Sequence, residues 1–440
     1  MSSRFVNIDR NTPMLLPPDL KDWVADDDLA HFVLEAVEAT DMSVAQCNQR
    51  GTGSRQYPPT MMLALLIYCY ATGRFSSRQI ERATFRDVSV RYLAADTHPD
   101  HDTICKFRRE NRQLIHACFV RVLELARELG LLQMGTISID GTKIMAATSK
   151  RATQSAQEIE LELARWDRKV AGLLEQAEEA DVEGVEDPTR LPHELAQAQN
   201  RRARLQAAKE LLEKQSQERA RRREQEREQA RRTAGRELPK KLPAKARPKD
   251  TVNMTDPESR LMPRRQGDYI QGYNGQLAVS VQAGGGLIVN TGLSDQSQDR
   301  RELLPMVQSL PSVLERPANI LVDKGYDNTD QIAQVQSQGG ARVFCPLNGP
   351  PGQESPGYRQ TAWHQERARR RRRMAERMKS PEGRAMLKRR GSSVEPVIGI
   401  LKSAMGFESF RLRGRAKAAL EWELVSLAFN CRRISRRKRA

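Results

Sequence analysis

The residues best suited to chemistry are acidic and lie far apart in the chain. Glu395 opens an apolar helical stretch, Val394-Glu395-Pro396-Val397-Ile398-Gly399-Ile400-Leu401-Lys402, inside the most basic part of the sequence. Val394, Val397, Ile398 and Leu401 recur at helical spacing, so one face of this helix is expected against a core. Glu395 and Lys402 are seven positions apart and would share a side of a regular α-helix. A carboxylate among Lys and Arg is most often neutralised in a surface ion pair. Its other use is to hold a divalent cation while its basic neighbours hold a polyanion, and that use needs partner carboxylates elsewhere.

Two partners are available. In Thr136-Ile137-Ser138-Ile139-Asp140-Gly141-Thr142-Lys143 the alternation predicts a strand, with Asp140 within it or at its end. Taken alone, Asp140-Gly141 reads as a strand-ending turn. Asp323 follows Ile320-Leu321-Val322, an apolar run that predicts a buried strand with the acid at its carboxyl end. The order is then strand (Asp140), charged insertion, hairpin, helix, strand (Asp323), helix, strand, basic segment, helix (Glu395). In a mixed sheet with short crossovers the first and fourth strands can be neighbours. That arrangement sets Asp140 beside Asp323 and lays the Glu395 helix across them.

The rest of the chain has to position these groups. Its 440 residues are too many for one core and predict two or three domains. Residues 359–440 hold 24 Lys and Arg against 7 Asp and Glu, a surplus equal to the +17 of the whole chain. The excess positive charge is thus confined to the segment containing Glu395, and a phosphate-rich partner accounts for it. The six cysteines form no CxxC pair, as expected of reduced thiols in a cytosolic protein. No run is long and apolar enough to predict a membrane span or a signal peptide, so the expectation is a cytoplasmic protein without a membrane partner.

Residues 1–130 predict an all-helical domain. Met61 to Tyr70 is its apolar centre, and a long helix runs from a cap at Asp102 to Gly130. Its short Ser-capped helices with exposed Arg fit a DNA-contacting array, though small helical bundles in general share that pattern. His98, His101 and Cys105 fit a turn and a helix start better than a zinc site. Residues 151–250 are rich in Ala, Glu, Gln and Arg and predict two long helices in an antiparallel hairpin with a break at Pro188-Thr189, then a linker. Gln276–Val281 and Leu287–Thr291 flank three glycines and predict a β-hairpin, and Asp299 with Glu302 predicts a helix start.

The order Asp140, Asp323, Glu395 on strand, strand and helix resembles the DDE transposases of bacterial insertion sequences. The motifs that carry the resemblance are Asp140-Gly141-Thr142-Lys143, Thr255-Asp256-Pro257-Glu258-Ser259-Arg260 with Gly272-Tyr273-Asn274, and Asp323-Lys324-Gly325-Tyr326. To these are added Pro381-Glu382-Gly383-Arg384, Arg390 with Val394-Glu395-Pro396, Gly399 and Lys402, Leu412-Arg413-Gly414 and Glu421-Trp422. Leu387 stands where the family usually has a tyrosine, and Ile398 where an aromatic is expected.

The resemblance implies an α+β multidomain protein: a helical N-terminal domain, residues 1–130, that binds DNA ends, and a ribonuclease-H-like mixed-sheet catalytic domain, residues 131–150 and 251–430. The latter is interrupted by the charged helical hairpin of 151–250 and followed by a basic tail, 431–440. It implies Asp140, Asp323 and Glu395 as catalytic ligands of two Mg²⁺ ions, with Mn²⁺ as substitute, and Lys143, Arg389, Arg390, Lys402 and Arg413 as DNA-binding residues. The implied reaction is strand cleavage at the ends of the element, then attack of the freed 3′-OH on target DNA. Double-stranded DNA, a homo-oligomer assembled on it and a bacterial nucleoid location follow. A DNA-binding regulator or inactive copy, a nuclease without strand transfer, and a scaffold self-associating through the hairpin remain open alternatives.

Overall fold

A computed structural model describes residues 19–47, 55–183, 190–232, 238–264, 267–349 and 361–438. The chain divides into two units, residues 1–121 with 431–440, and residues 122–430.

The first unit contains α1 (Leu29–Glu38), α2 (Pro59–Ala71), α3 (Ser77–Arg86), α4 (Val88–Leu93), α5 (His101–Glu110) and the start of α6 (Arg112–Glu128). Its centre is α2, buried without interruption from Met62 to Ala71, hence a helix apolar on every side. Asp28, Asp87 and Asp100 accept from the first free N–H groups of α1, α4 and α5. The predicted helix from Asp102 to Gly130 is two helices, and its cap is Asp100. Asn111 makes the break: its Nδ2 donates to Phe107 O at 3.0 Å and its Oδ1 accepts from Gln46 N at 2.8 Å. Side-chain bonds of this kind compete with a continuous helical ladder. The Arg-rich end is helical through Lys438, which pairs with Glu35 at 2.8 Å.

In the second unit come β1 (Thr136–Met145), β2 (Thr153–Ser155), α7 (Ala156–Glu183), α8 (Arg190–Arg232), β3 (Thr251–Asn253), β4 (Arg260–Pro263), β5 (Tyr269–Ser280) and β6 (Ile288–Ser294). They are followed by α9 (Leu303–Gln308), β7 (Asn319–Leu321), α10 (Thr329–Gly339), β8 (Arg342–Phe344), α11 (Ala362–Lys379), α12 (Pro381–Gly391), α13 (Val394–Gly399) and α14 (Arg415–Lys438). The sheet runs β4-β5-β1-β7-β8, with β6 also on β5. β5 is antiparallel to β1 and β6, whereas β7 and β8 run parallel to β1. The first and fourth strands of the predicted order, β1 and β7, are therefore hydrogen-bonded neighbours. Mixed sheet and helices together make an α+β architecture.

The insertion is a helical hairpin. Ile159 and Leu163 of α7 pack on Leu205 and Leu212 of α8, and the pairs Arg201–Glu162 and Lys209–Glu160 run in opposite chain senses. The predicted break at Pro188-Thr189 lies outside the described residues. The tract Arg219–Arg232 is helical and held at two points: Arg219 pairs with Asp250 at 2.5 Å and Glu226 with Arg301 at 2.6 Å. β2 and β3, unanticipated from sequence, pair antiparallel at the base of the hairpin.

Candidate active site

Asp140 does not end its strand. β1 continues to Met145, so the Asp-Gly turn reading is wrong, and Asp140 sits in mid-strand. β1 and β7 pair in parallel with Ser138 opposite Leu321. Asp323 follows two residues after the end of β7 and caps the 3₁₀ turn Lys324–Tyr326 by accepting from Gly325 N at 2.8 Å. Continued past the ladder, the register would bring Asp140 level with Asp323, and the Asp323 charge is near enough to raise the Asp140 pKa.

Glu395 arrives on α13, whose Val394 and Val397 are buried as their spacing predicts, as is Leu401 just beyond it, while Ile398 is half-buried. α13 packs on β1 and β5. A π-helical turn, Ile400–Ala404, follows it directly and changes the phase of the helix. Lys402 lies in that turn, and its Nζ donates to the Lys143 carbonyl at 2.9 Å.

Arg390, near the end of α12, connects the acids. Nη2 donates to Asp140 Oδ2 at 2.6 Å and Nη1 to Glu395 Oε1 at 3.0 Å. The guanidinium is nearly buried, as is Asp140, while the Glu395 side chain is 58% exposed. Burial pushes the Asp140 carboxyl up to about 6; Arg390 opposes the shift, and the negative charges of Asp323 and Asp299 add to it.

Asp299 is the site residue that sequence reasoning missed. Expected to start a helix, it heads the 3₁₀ turn Asp299–Arg301, and its Oδ1 accepts from Asn274 Nδ2 and Gln276 Nε2, each at 2.7 Å. The register pairs Gln276 with Gly141 and Asn274 with Lys143, so these side chains share one face of the sheet. Gly141 permits the approach: a Cβ there would collide with Asp299 Oδ1 and Gln276 Nε2. Lys143 Nζ stands 4.0 Å from Asp299, and burial lowers its pKa while the surrounding acids raise it. Tyr326, fully buried, donates its hydroxyl to Gln276 Oε1 and so ties the turn after Asp323 to β5. The available signals were Gly141, which hides a close approach, and Tyr326 in the Asp-Lys-Gly-Tyr motif.

The other singled-out residues are main-chain anchors or clamps. Arg389 Nη2 donates to Val281 O at 3.3 Å and Arg413 Nε to Ala147 O at 3.1 Å. Buried Asp256 accepts from Tyr273 OH at 2.8 Å and Gly414 N at 3.2 Å, and Glu258 accepts from Arg415 N at 2.9 Å. Glu421 accepts from Arg411 N and Leu412 N, and Trp422 Nε1 donates to Gln276 O at 3.0 Å, locking α14 to the sheet. Within the Arg369–Arg373 run, Arg371 is committed to buried Asp327 at 2.8 Å. Leu387 is an exposed side chain on α12.

Among the described residues no three acidic, His or Cys side chains stand close enough to form a ready metal site. By type the donors suit a hard divalent cation: Asp140, Asp323, Asp299 and Glu395 offer only carboxylate oxygens. Arg390 occupies the space between Asp140 and Glu395, so a shared ion would require it to swing aside.

No helix among the described residues is long and apolar enough to cross a membrane, and all six cysteines are free thiols. The family model described as "Transposase DDE domain" matches residues 250–431, and that described as "Transposase domain (DUF772)" matches residues 18–110. No curated protein and no solved structure gives a significant match.

Proposed function

This chain belongs to the DDE transposases of insertion sequences, and on that premise we propose that it cleaves DNA strands at the ends of its element and joins them to target DNA. The observation that carries the reading is the parallel pairing of β1 with β7, which sets Asp140 level with Asp323, together with the Arg390 bridge from Asp140 to Glu395. The strand order β6-β5-β1-β7-β8 supports a ribonuclease-H-like core.

Asp140, Asp323 and Glu395 would hold two Mg²⁺ ions, for which Mn²⁺ can substitute. Bound there, the ions neutralise charge on the scissile phosphate and activate the attacking oxygen. The chain's own residues do the rest. Asp323 is fixed by its turn and by the Tyr326–Gln276 bond, and Asp140 by its place in mid-sheet. Glu395 extends as an exposed side chain held by Arg390, from a helix anchored by Val394 and Val397. Arg390, if it let go of the two acids, would have both arms of its guanidinium available to hold a phosphate oxygen beside the cleaved bond. Lys143, Lys402, Arg389 and Arg413 supply further positive charge along β1 and its neighbours.

The first unit would bind the element ends, and the protein would assemble as a homo-oligomer on double-stranded DNA in the cytoplasm, at the nucleoid. The test is a plasmid assay with the element's own flanking ends: the native chain yields nicked and joined products with Mg²⁺, and Asp140→Ala yields neither while still retarding the DNA. Cleavage without joining would leave only a nuclease; cleavage by Asp140→Ala would overturn the assignment.

A further inference from the structure

A groove of about 970 Å³ lies between α8 of the inserted hairpin, the 3₁₀ turn Asp299–Arg301, α10 and α11. Six arginines line it: Arg222, Arg223, Arg300, Arg301, Arg367 and Arg370. Arg223 and Arg301 pair with Glu226 at 2.9 and 2.6 Å, and Arg370 with Glu366 at 3.0 Å. Among the described residues Arg222, Arg300 and Arg367 form no ion pair within 4 Å, although Arg222 acts on the Glu302 carboxylate from farther away and Asp330 joins Glu226 as a second acid in the lining. Arg222 and Arg300 are exposed, and Arg367 lies over the Trp363 ring, 5.4 Å from its centroid. Internal neutralisation is thus incomplete, and a concave surface with surplus guanidinium and an aromatic ring suits a sugar-phosphate backbone.

Its position favours nucleic acid over an acidic protein. Arg300 and Arg301 follow Asp299, whose carboxylate touches Gly141 and faces Lys143. Asn328 and Thr329, also in the wall, follow the turn that Asp323 caps. The groove therefore begins where two of the acids end, and a strand leaving the scissile phosphate on this side would enter it.

We propose that this groove is a second DNA-backbone site, and that the inserted hairpin serves as one wall of a clamp on DNA leaving the active site. The proposal rests on the reading that DNA is the substrate, and it names one chemistry, a phosphodiester chain, that the element end or the target could supply.

The test uses the full chain with Arg222→Gln, Arg300→Gln and Arg367→Gln, singly and together, and a triple Lys variant. Binding is followed by fluorescence anisotropy on a duplex carrying one element end and on an unrelated duplex standing for target, over a range of salt. The triple Gln variant is expected to bind about tenfold or more weaker near physiological salt. Its log Kd against log salt slope should fall by about 2 to 3, roughly 0.9 per lost phosphate contact. The triple Lys variant keeps most of the slope. Since Arg222 and Arg300 are exposed, the single variants at these positions keep the test valid should the triple fold poorly. Loss on the end duplex alone assigns the groove to the element end, and loss on the unrelated duplex to target as well. Unchanged affinity and slope on both, or a change in sedimentation without a change in DNA binding, would overturn the proposal. Asp140→Asn run in parallel separates the two readings: if it still cleaves, the catalytic assignment fails, whereas the groove stands or falls on binding alone.

Discussion

Arg390 donates to Asp140 at 2.6 Å across a sequence separation of 250 residues, and the same guanidinium reaches Glu395. One planar cation thereby holds together a mid-strand acid and a helical acid, and keeps two negative charges compatible at the edge of a buried site.

Removing that cation leaves Asp140 buried without its counter-charge. Arg390→Ala is expected to cost roughly 3 kcal/mol of stability. Strand cleavage is expected to fall about a hundredfold or more, as for the loss of a charged group that acts on the transition state. Arg390→Lys should not restore cleavage, because a single ammonium lacks the fork that grips a phosphate through two parallel bonds. Thermal melting and single-turnover cleavage check both statements; full rescue of cleavage by lysine would contradict the phosphate-holding role.

The raised pKa of Asp140 gives a pH dependence with a definite sign. Its carboxyl, at about 6, is neutral below that value and charged above it. A cation competes with the proton, so the half-saturating Mg²⁺ concentration should rise on the order of tenfold for each pH unit below about 6, and level off above it. Metal titrations of cleavage at fixed DNA measure this. A flat profile between pH 5 and pH 7 would remove Asp140 from the metal.

Asp299 is expected to matter for two separable reasons. Asp299→Asn keeps an oxygen for Asn274 and Gln276 but removes a charge that raises the Asp140 pKa, so the pH midpoint for Mg²⁺ should move down. Asp299→Ala leaves two amide donors unsatisfied and should cost about 2 kcal/mol or more. Identical pH midpoints in the wild type and Asp299→Asn would reduce Asp299 to a purely structural residue.

Gly141→Ala should abolish cleavage, since its methyl group would occupy the place of Asp299 Oδ1. The double variant Gly141→Ala/Asp299→Ala removes the clash with Asp299 Oδ1, though not that with Gln276 Nε2, so its melting shift should be smaller than the sum of the two single shifts, a non-additivity expected of residues in contact. Additive melting shifts would show that the two do not meet.

These relationships were unevenly legible in the sequence. Apolar periodicity located α2, β1, β7 and α13, and the strand order led to β1 and β7 as neighbours. Local signals could not separate α5 from α6, because the break depends on Asn111 meeting Gln46, which is remote in the chain. Nor could they place Asp299: an acid before a helix reads as a cap, and only the fold brings it to Asn274 and Gln276 on a distant strand. The π-turn Ile400–Ala404, in which Lys402 lies, had no signal in the periodicity of Val394, Val397 and Leu401. Arg390 stood beside Glu395 in the motif, yet its bond to Asp140 is a property of the assembled sheet and helices.

The most direct measurement is anomalous diffraction from crystals of the DNA-bound protein containing Mn²⁺. The account predicts two peaks about 3.5–4 Å apart, coordinated by Asp140, Asp323 and Glu395, with the Arg390 guanidinium withdrawn from Asp140 onto a phosphate. DNA seated at the site with no peak beside Asp140, and Arg390 still bridging Asp140 to Glu395, would contradict it.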